Sequence, residues 1–537
     1  MRRRILSLML AFVMILAMIP TAFAGDKGIG GLLEVLPGNK EISGAFVELL
    51  KNSLLGGGEE ADIQQIKDLI NKEYNKPHGT AGYVADANSY YVSLGDSTVT
   101  GMNTGDPAYG NYGYKTKVPT SAPYQVAQAL GLDVNTQYEQ LAMAGLRVTD
   151  LRYVLDATFA PDQYTLTRTK DRVDPHAGGF DQMRSDYMAA LPKADLITVC
   201  IGNCNFTDFM SAQIFGAIAE LLNKELYDVL NKGLFKDKIR EAVSQYIDLN
   251  SKTYEMNWEG YLGAEGTAKL KAALEETKAT LLAEGVPATY TLNLAEMAGE
   301  SMGMSSIPAT IKDKLIVNVP VVELMVYFME CFLYGYVTFV VDFEAAFDKI
   351  HEIAPDAELL VLGMYNPTDA LVFTFGGKTI PYGEYYGYMA KAMSLYLLDY
   401  AENTPNTTFV DVYDTESFTD VKLSTGESTY DLMAYVMDFA ANSADFHATP
   451  AGHTYMKNQI LAALAAEAEG LLGDVNGDGL VDTLDSMLIL RWDAELIGAD
   501  KLNLKMGDVN GDGLVDTLDS MLILRLDAEL IDKLPAA

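Results

Sequence analysis

The chain has 537 residues, a formal net charge of −35, and hydrophobic side chains at 49% of its positions. That length and apolar content suit two or three domains with a large core, and so negative a chain argues against a nucleic-acid partner, whose phosphates need clustered Lys and Arg. The three cysteines (Cys200, Cys204 and Cys331) make no disulfide framework, leave at least one thiol free or intermolecular, and offer no C-x-x-C zinc pair.

Arg2, Arg3 and Arg4 precede an almost wholly apolar run from Ile5 to Ile19, and Ala22-Phe23-Ala24 ends it with a small-x-small cut. This pattern predicts a secretory signal over residues 1–24. The run is shorter than the roughly 20 residues of a membrane span, so cleavage is expected rather than anchoring. The chain is therefore expected to be secreted and extracellular. Residues 25–85 read mostly as helix, broken at Gly56-Gly57-Gly58, and carry no functional motif.

Ser89 to Leu94 is a short strand-like run ending at Gly95, and Leu196 to Ile201 is apolar except for Thr198. Glu358–Leu362 and Thr408–Val412 look similar, with helical patterns between them. Strands alternating with helices predict an α/β domain on a parallel sheet, over residues 86–470. A helical segment of about 207–345 interrupts the rhythm and reads as an insertion between two strands. Its end, Val321 to Val341, is almost continuously apolar, but Glu323 and Glu330 lie inside it and are costly in lipid. A crossing there would also separate Gly202 from His447, so a buried helix is expected. Met256, Met297, Met302, Met304, Met325 and Met329 in the insertion suit an apolar acyl site or, more simply, helix packing.

Four blocks in the α/β region carry chemistry. Tyr91-Val92-Ser93-Leu94-Gly95-Asp96-Ser97 puts a serine just past a strand, beside a glycine that permits a tight turn. Leu141-Ala142-Met143-Ala144-Gly145 offers a glycine amide. Ile201-Gly202-Asn203-Cys204-Asn205 ends a strand with two side-chain amides. Asp445-Phe446-His447-Ala448-Thr449-Pro450-Ala451-Gly452-His453 sets an imidazole near a carboxylate. Alone, Gly-Asp-Ser is common in ordinary turns. In this order, and within an α/β frame, the blocks resemble the SGNH (GDSL-type) hydrolases from about Ser89 to Glu469.

The resemblance implies a three-layer, flavodoxin-like parallel-sheet domain with an ester-hydrolase site. Ser97 would be the nucleophile, His447 the base and Asp445 the acid orienting it. The Ser97 and Gly145 amides and an Asn side chain would hold the oxyanion. Two departures bear on the site. Cys204 stands where the family's Gly-x-Asn-Asp has its Asn, leaving Asn203 and Asn205 both open as the donor. The acid expected three residues before the histidine is Ala444, so the system is either a triad through Asp445 or a Ser97–His447 dyad. His453 reads as structural, and the five histidines form no ligand cluster; no metal is expected for catalysis.

Gly473 to Ile497 recurs at Gly507 to Ile531, identical except that Leu526 replaces Trp492. Each copy sets oxygen ligands at the spacing of a calcium loop. The first offers Asp474, Asn476, Asp478, the Leu480 carbonyl, Asp482 and Asp485, with Gly479 at the turn. The second offers Asp508, Asn510, Asp512, the Leu514 carbonyl, Asp516 and Asp519, with Gly513 at the turn. One such loop is easily an acidic surface turn; two in tandem are not. Gly473 and Gly507 directly precede the loops, so each repeat is a loop followed by one helix. From Gly473 to about Leu534 the chain thus resembles the dockerin family, a module expected over residues 471–537. The resemblance implies a small all-α module, two calcium ions, and a cohesin domain of a scaffold protein as partner. The family's contact positions fall on Thr483, Leu484, Leu490 and Arg491, and again on Thr517, Leu518, Leu524 and Arg525.

Together these resemblances imply a secreted serine ester hydrolase docked onto a polysaccharide-degrading assembly, acting on acetyl groups of polysaccharides. The alternatives are a lipase or acyl esterase on free esters, and an inactive binding component with a relic hydrolase fold.

Overall fold

The computed structural model describes residues 36–537 apart from 56–59, 77, 245–246, 284, 295–307, 367–371, 376–377, 414–428, 432–446, 466–471, 478–479, 495, 499–500, 529, 532 and 536–537. The signal segment, Asp445, Asp478, Gly479, Met297, Met302 and Met304 lie outside the described residues. The chain divides into two compact units, one of residues up to 74 with 85–460, the other of 75–84 with 461–537.

The larger unit is an α/β structure built on a five-stranded parallel sheet. Its strands are β1 (Tyr91–Gly95), β2 (Tyr138–Gln140), β3 (Leu196–Cys200), β4 (Glu358–Leu362) and β5 (Thr407–Val410). The order across the sheet is β2-β1-β3-β4-β5. β1 and β3 are buried along their whole length, which explains their nearly unbroken apolar sequences. β2 escapes a sequence reading because Tyr-Glu-Gln at an edge carries no alternation. The order is the flavodoxin-like one, in which the strand order reverses between β1 and β3; ligands in such sheets bind beyond the strand C-termini at that point. Register matters here: Gly95 pairs with Cys200, so β1 and β3 end at the same level. The segments that follow them, beginning at Asp96 and Ile201, start side by side.

The insertion falls between β3 and β4, as its helical pattern suggests. It holds helices Asp208–Glu225, Tyr227–Asn231, Lys236–Ser244 and Trp258–Ala283. It also contains an antiparallel pair, Tyr290–Asn293 with Ile316–Val319, that the sequence pattern does not announce. The apolar run forms part of a helix from Val321 to Ile353 that has the length and composition to cross a membrane, but 78% of its most apolar stretch is buried inside the protein. Met325 and Met329 lie in that buried face and pack in the core. Asp342, also fully buried, explains why this is a core helix: its carboxylate takes Thr149 Oγ1 at 2.6 Å, Tyr261 OH at 2.7 Å and Arg152 Nη1 at 2.8 Å. The N-terminal helices Lys40–Leu55 and Glu60–Tyr74 are not a separate body. Phe46, Leu49, Ile70 and Tyr74 join the same hydrophobic core as the sheet. All three cysteines are free and buried.

The smaller unit has its own core of Val475, Ile489, Leu502, Val509, Ile523 and Leu534. Its two main helices, Thr483–Asp493 and Thr517–Asp527, start alike: Asp482 and Asp516 cap them, and Asp485 and Asp519 complete capping boxes. Ser486 Oγ and Ser520 Oγ, equivalent positions of the two copies, lie 2.7 Å apart. Contact between equivalent residues is what a local two-fold relation produces.

Candidate functional site

Ser97 sits in the turn that leaves β1, 8% exposed. The turn is set by its neighbours. Gly95 has φ +133°, and a Cβ there would lie 2.0 Å from the Cys200 carbonyl, so only glycine lets β1 end this close to β3. The Asp96 amide donates to that same carbonyl at 3.0 Å. The buried Asp96 carboxylate accepts from Thr98 N at 2.9 Å and Thr98 Oγ1 at 2.7 Å, which holds the loop on both sides of Ser97. Burial pushes the Asp96 carboxyl up from its usual range, opposed by the Thr98 bonds and by the nearby His447.

Each of the other blocks is tied to residues of this turn. Met143 N donates to Gly95 O at 3.0 Å, which brings Gly145 beside the turn. Gly145 has φ +84° and stays partly exposed. Past it, Arg147 is fully buried and forms a two-pronged pair with Asp162, at 2.7 and 3.0 Å, over the face of Tyr164. Its amide donates to Asp150 at 2.8 Å. Burial alone would depress the guanidinium; Asp162 and Asp150 outweigh it and hold it above its usual range. The sequence reading missed this cluster, although Arg147 and Asp150 at a helix start carry a capping-box spacing.

The third block separates its two amides. Asn205 is fully buried; its Oδ1 accepts from Val148 N at 3.0 Å and its Nδ2 donates to Thr338 Oγ1 at 3.0 Å. Asn203, half-buried at the start of the short helix Asn203–Phe206, has its Nδ2 3.5 Å from Thr98 Oγ1, next to Ser97. Gly202 at φ +130° makes the bend; a Cβ would meet Met364 and Phe339 at 2.5 Å.

The fourth block returns His447, half-buried, to the same place. Asn103, in the left-handed region at φ +67°, donates through Nδ2 to the His447 carbonyl at 3.1 Å. His453, six residues on, is fully buried, and its Nδ1 accepts from Ala122 N at 3.2 Å. Burial, and secondarily His447, push the His453 imidazole down to about 3. It is a neutral peg between two helices. The other histidines of this unit serve elsewhere: His351 bonds Thr407 Oγ1 at 2.9 Å, and the His176 ring lies tilted against Tyr112.

In the smaller unit, the second loop is described throughout. Gly513 takes φ +88°. Asp508 accepts from the Gly511, Asp512 and Gly513 amides at 2.7 to 3.1 Å, Asn510 from Asp512 N at 2.8 Å, and Asp512 from Leu514 N at 2.9 Å. Asp519 is buried and takes Asn510 N at 3.1 Å and Asp516 N at 3.0 Å. Asp485 repeats this in the first copy, with Val475 N at 2.9 Å, Asn476 N at 3.1 Å and Asp482 N at 3.0 Å. Among the described residues no three carboxylates converge on one point; their oxygens are turned onto loop amides. The donor set, all oxygen on a tight loop with a left-handed glycine at its sixth position, fits a hard divalent cation. The eight contact positions Thr483, Leu484, Leu490, Arg491, Thr517, Leu518, Leu524 and Arg525 are all exposed. Leu484 and Leu518 are half exposed, at 50% and 54%, although they are apolar.

The dockerin type I domain model matches residues 472–526, so the chain carries a dockerin type I domain. No curated protein matches the sequence. Two solved structures align over their whole lengths. Phospholipase A1 from Streptomyces albidoflavus NA297 covers 71% of this chain at 13% identity and a TM-score of 0.27. An extracellular lipase from Streptomyces rimosus covers 66% at 14% identity and a TM-score of 0.25. Likeness at that level carries no functional inference.

Proposed function

We propose that this dockerin-bearing chain is a secreted serine ester hydrolase of the SGNH kind, which removes acetyl groups from polysaccharide while docked on a cohesin-bearing scaffold. The observation that carries the reading is the convergence at the β1–β3 switch point. The serine turn is bonded to the glycine block through Gly95 and Met143, lies against the asparagine block through Thr98 and Asn203, and is bonded to the histidine block through Asn103 and His447. The sheet register brings the segments after β2 and β3 to the serine turn, and the histidine block joins them from the far end of the chain.

In this reading Ser97 Oγ attacks the ester carbonyl and His447 takes its proton, later returning it to the leaving alcohol. Asp445 orients the imidazole. The amides of Ser97 and Gly145 and the side chain of Asn203 receive the oxyanion. Asn203 is preferred to Asn205 because both ends of the Asn205 amide are already used inside the protein. An acetyl group on polysaccharide is preferred because the chain carries a dockerin type I domain, and dockerin-bearing proteins resemble parts of polysaccharide-degrading assemblies. Two calcium ions, one per loop, would draw the loop carboxylates inward and brace the helices that present the exposed contact residues to a cohesin.

The test is hydrolysis of p-nitrophenyl acetate, acetylated xylan, acetylated pectin and longer p-nitrophenyl esters by the wild type and by Ser97→Ala and His447→Ala. Each substitution is expected to lower kcat by about 10³-fold or more with the fold intact, and acetyl esters should lead. An active Ser97→Ala removes the assignment; preference for long esters moves it to a lipase.

A further inference from the structure

Arg172 belongs to none of the four blocks, yet it touches one of them and the helix that begins just past another. It lies on the helix Lys170–Ala177, with its side chain 11% exposed. One guanidinium nitrogen, Nη1, donates to the Ala144 carbonyl at 3.4 Å, and the other, Nη2, to Asp208 Oδ2 at 2.7 Å. Ala144 immediately precedes Gly145. Asp208 opens the helix that follows Asn203–Phe206. The guanidinium therefore bridges the glycine block and the helix that continues from the Asn203 segment.

Gly145 makes the contact closer than the hydrogen bond alone indicates. A Cβ at Gly145 would fall 1.5 Å from Arg172 Nη1, so the guanidinium occupies the space a side chain would need. Glycine is required there twice, by φ +84° and by the arginine over it. The far side of the bridge is fixed as well. Tyr164 OH donates to the same Asp208 oxygen at 2.6 Å, and the Tyr164 ring lies 4.5 Å from the buried Arg147 guanidinium. Asp208, half-buried and facing Arg172, is held below the usual carboxylate range by that guanidinium against partial desolvation, so the pair remains charged.

We propose that Arg172 is a positioning residue that sets the spacing between the Gly145 amide and the Asn203 side chain, so that both donors meet one oxyanion. The proposal rests on the Ser97 reading above. Donors in an oxyanion site act only when they are already placed for the charge that develops in the transition state. Loss of the bridge should lower kcat and leave ground-state binding alone. A residue needed merely for folding would lower the amount of active protein and leave kcat per active site unchanged.

The experiment titrates active sites with a p-nitrophenyl phosphonate, whose adduct on the serine carries a tetrahedral oxyanion. It compares wild type, Ser97→Ala, Arg172→Met, Arg172→Lys, Asn203→Ala and the Arg172→Met/Asn203→Ala pair. For Arg172→Met, kcat per titrated site on p-nitrophenyl acetate is expected to fall about 10-fold or more, with KM within about 2-fold. The phosphonylation rate should fall by a similar factor. Arg172→Lys, which keeps the charge without the fork, should regain part of the loss. In the pair, the losses should not multiply, because Asn203 is idle once the spacing is gone. Unchanged kcat in Arg172→Met, or losses that multiply in full, overturns the proposal. Should Arg172→Met not fold, Arg172→Lys decides: a fall of about 3-fold in kcat at constant KM supports the bridge, and wild-type kcat overturns it. An active Ser97→Ala instead removes the site reading, whatever Arg172 does.

Discussion

The two units encode their sites in opposite ways. In the C-terminal unit each loop brings all its oxygen donors within twelve residues, Asp474 to Asp485 and Asp508 to Asp519, and the next helix presents the contact side chains. In the larger unit the candidate site is assembled from blocks spread between Gly95 and His447, and strand register sets two of them, those after β1 and β3, side by side. A site built by spacing tolerates duplication; a site built by register has one copy and depends on what lies behind it.

The largest effect that tests this contrast is in docking. If the repeats are interchangeable, Thr483→Asp with Leu484→Asp should weaken cohesin binding only about 2-fold, while adding Thr517→Asp and Leu518→Asp should cost about 10³-fold or more. Calorimetric titration against the cognate cohesin reads both; a single-copy change that already removes binding shows unequal faces. Removing calcium with a chelator should loosen this unit, seen as faster amide exchange in Thr483–Asp493 and Thr517–Asp527, with ester hydrolysis unchanged.

Next in size is the division of labour in the third block. Asn203→Ala should lower kcat by about 10²-fold with little change in thermal stability. Asn205→Ala strands the Val148 amide in the interior and should cost about 1–3 kcal/mol of stability. Unfolding curves and kinetics on both variants would show the roles exchanged if the assignment is reversed.

The smallest effect concerns His453. An imidazole in the unfolded chain titrates near 6.5, whereas burial holds this one down to about 3. Between those values the unfolded state binds the proton and the folded state does not. The stability tied to a neutral His453 is therefore complete above about pH 6.5 and drains as pH falls towards 3, at up to about 1.4 kcal/mol per unit. Between pH 6.5 and 5.5, ahead of most carboxylates, the wild type should lose more stability than His453→Gln. Equal slopes would contradict it.

The same contrast explains what the sequence made legible. The repeat could be read position by position because its ligands follow chain spacing. The buried strands β1, β3 and β4 could be read because parallel strands covered on both faces are continuously apolar. The choice between Asn203 and Asn205 could not, since it turns on Val148 and Thr338, which are 57 and 133 residues away from Asn205. The Arg147–Asp162 pair and the Arg172 bridge were hidden for the same reason: a charged residue at a helix start, in a loop or on a helix looks like solvated surface until its partner is known. The pair Tyr290–Asn293 with Ile316–Val319 is short and half exposed, and leaves almost no periodic trace.

The central claim is that Ser97 is the nucleophile. Its most direct test is to inactivate the full-length chain with diethyl p-nitrophenyl phosphate and map the adduct by peptide mass spectrometry. Loss of ester hydrolysis should track a single diethylphosphoryl group on Ser97, and His447→Ala should label far more slowly under the same conditions. Complete inhibition with the label on another residue, or an active chain whose labelled Ser97 still hydrolyses ester, would contradict the account.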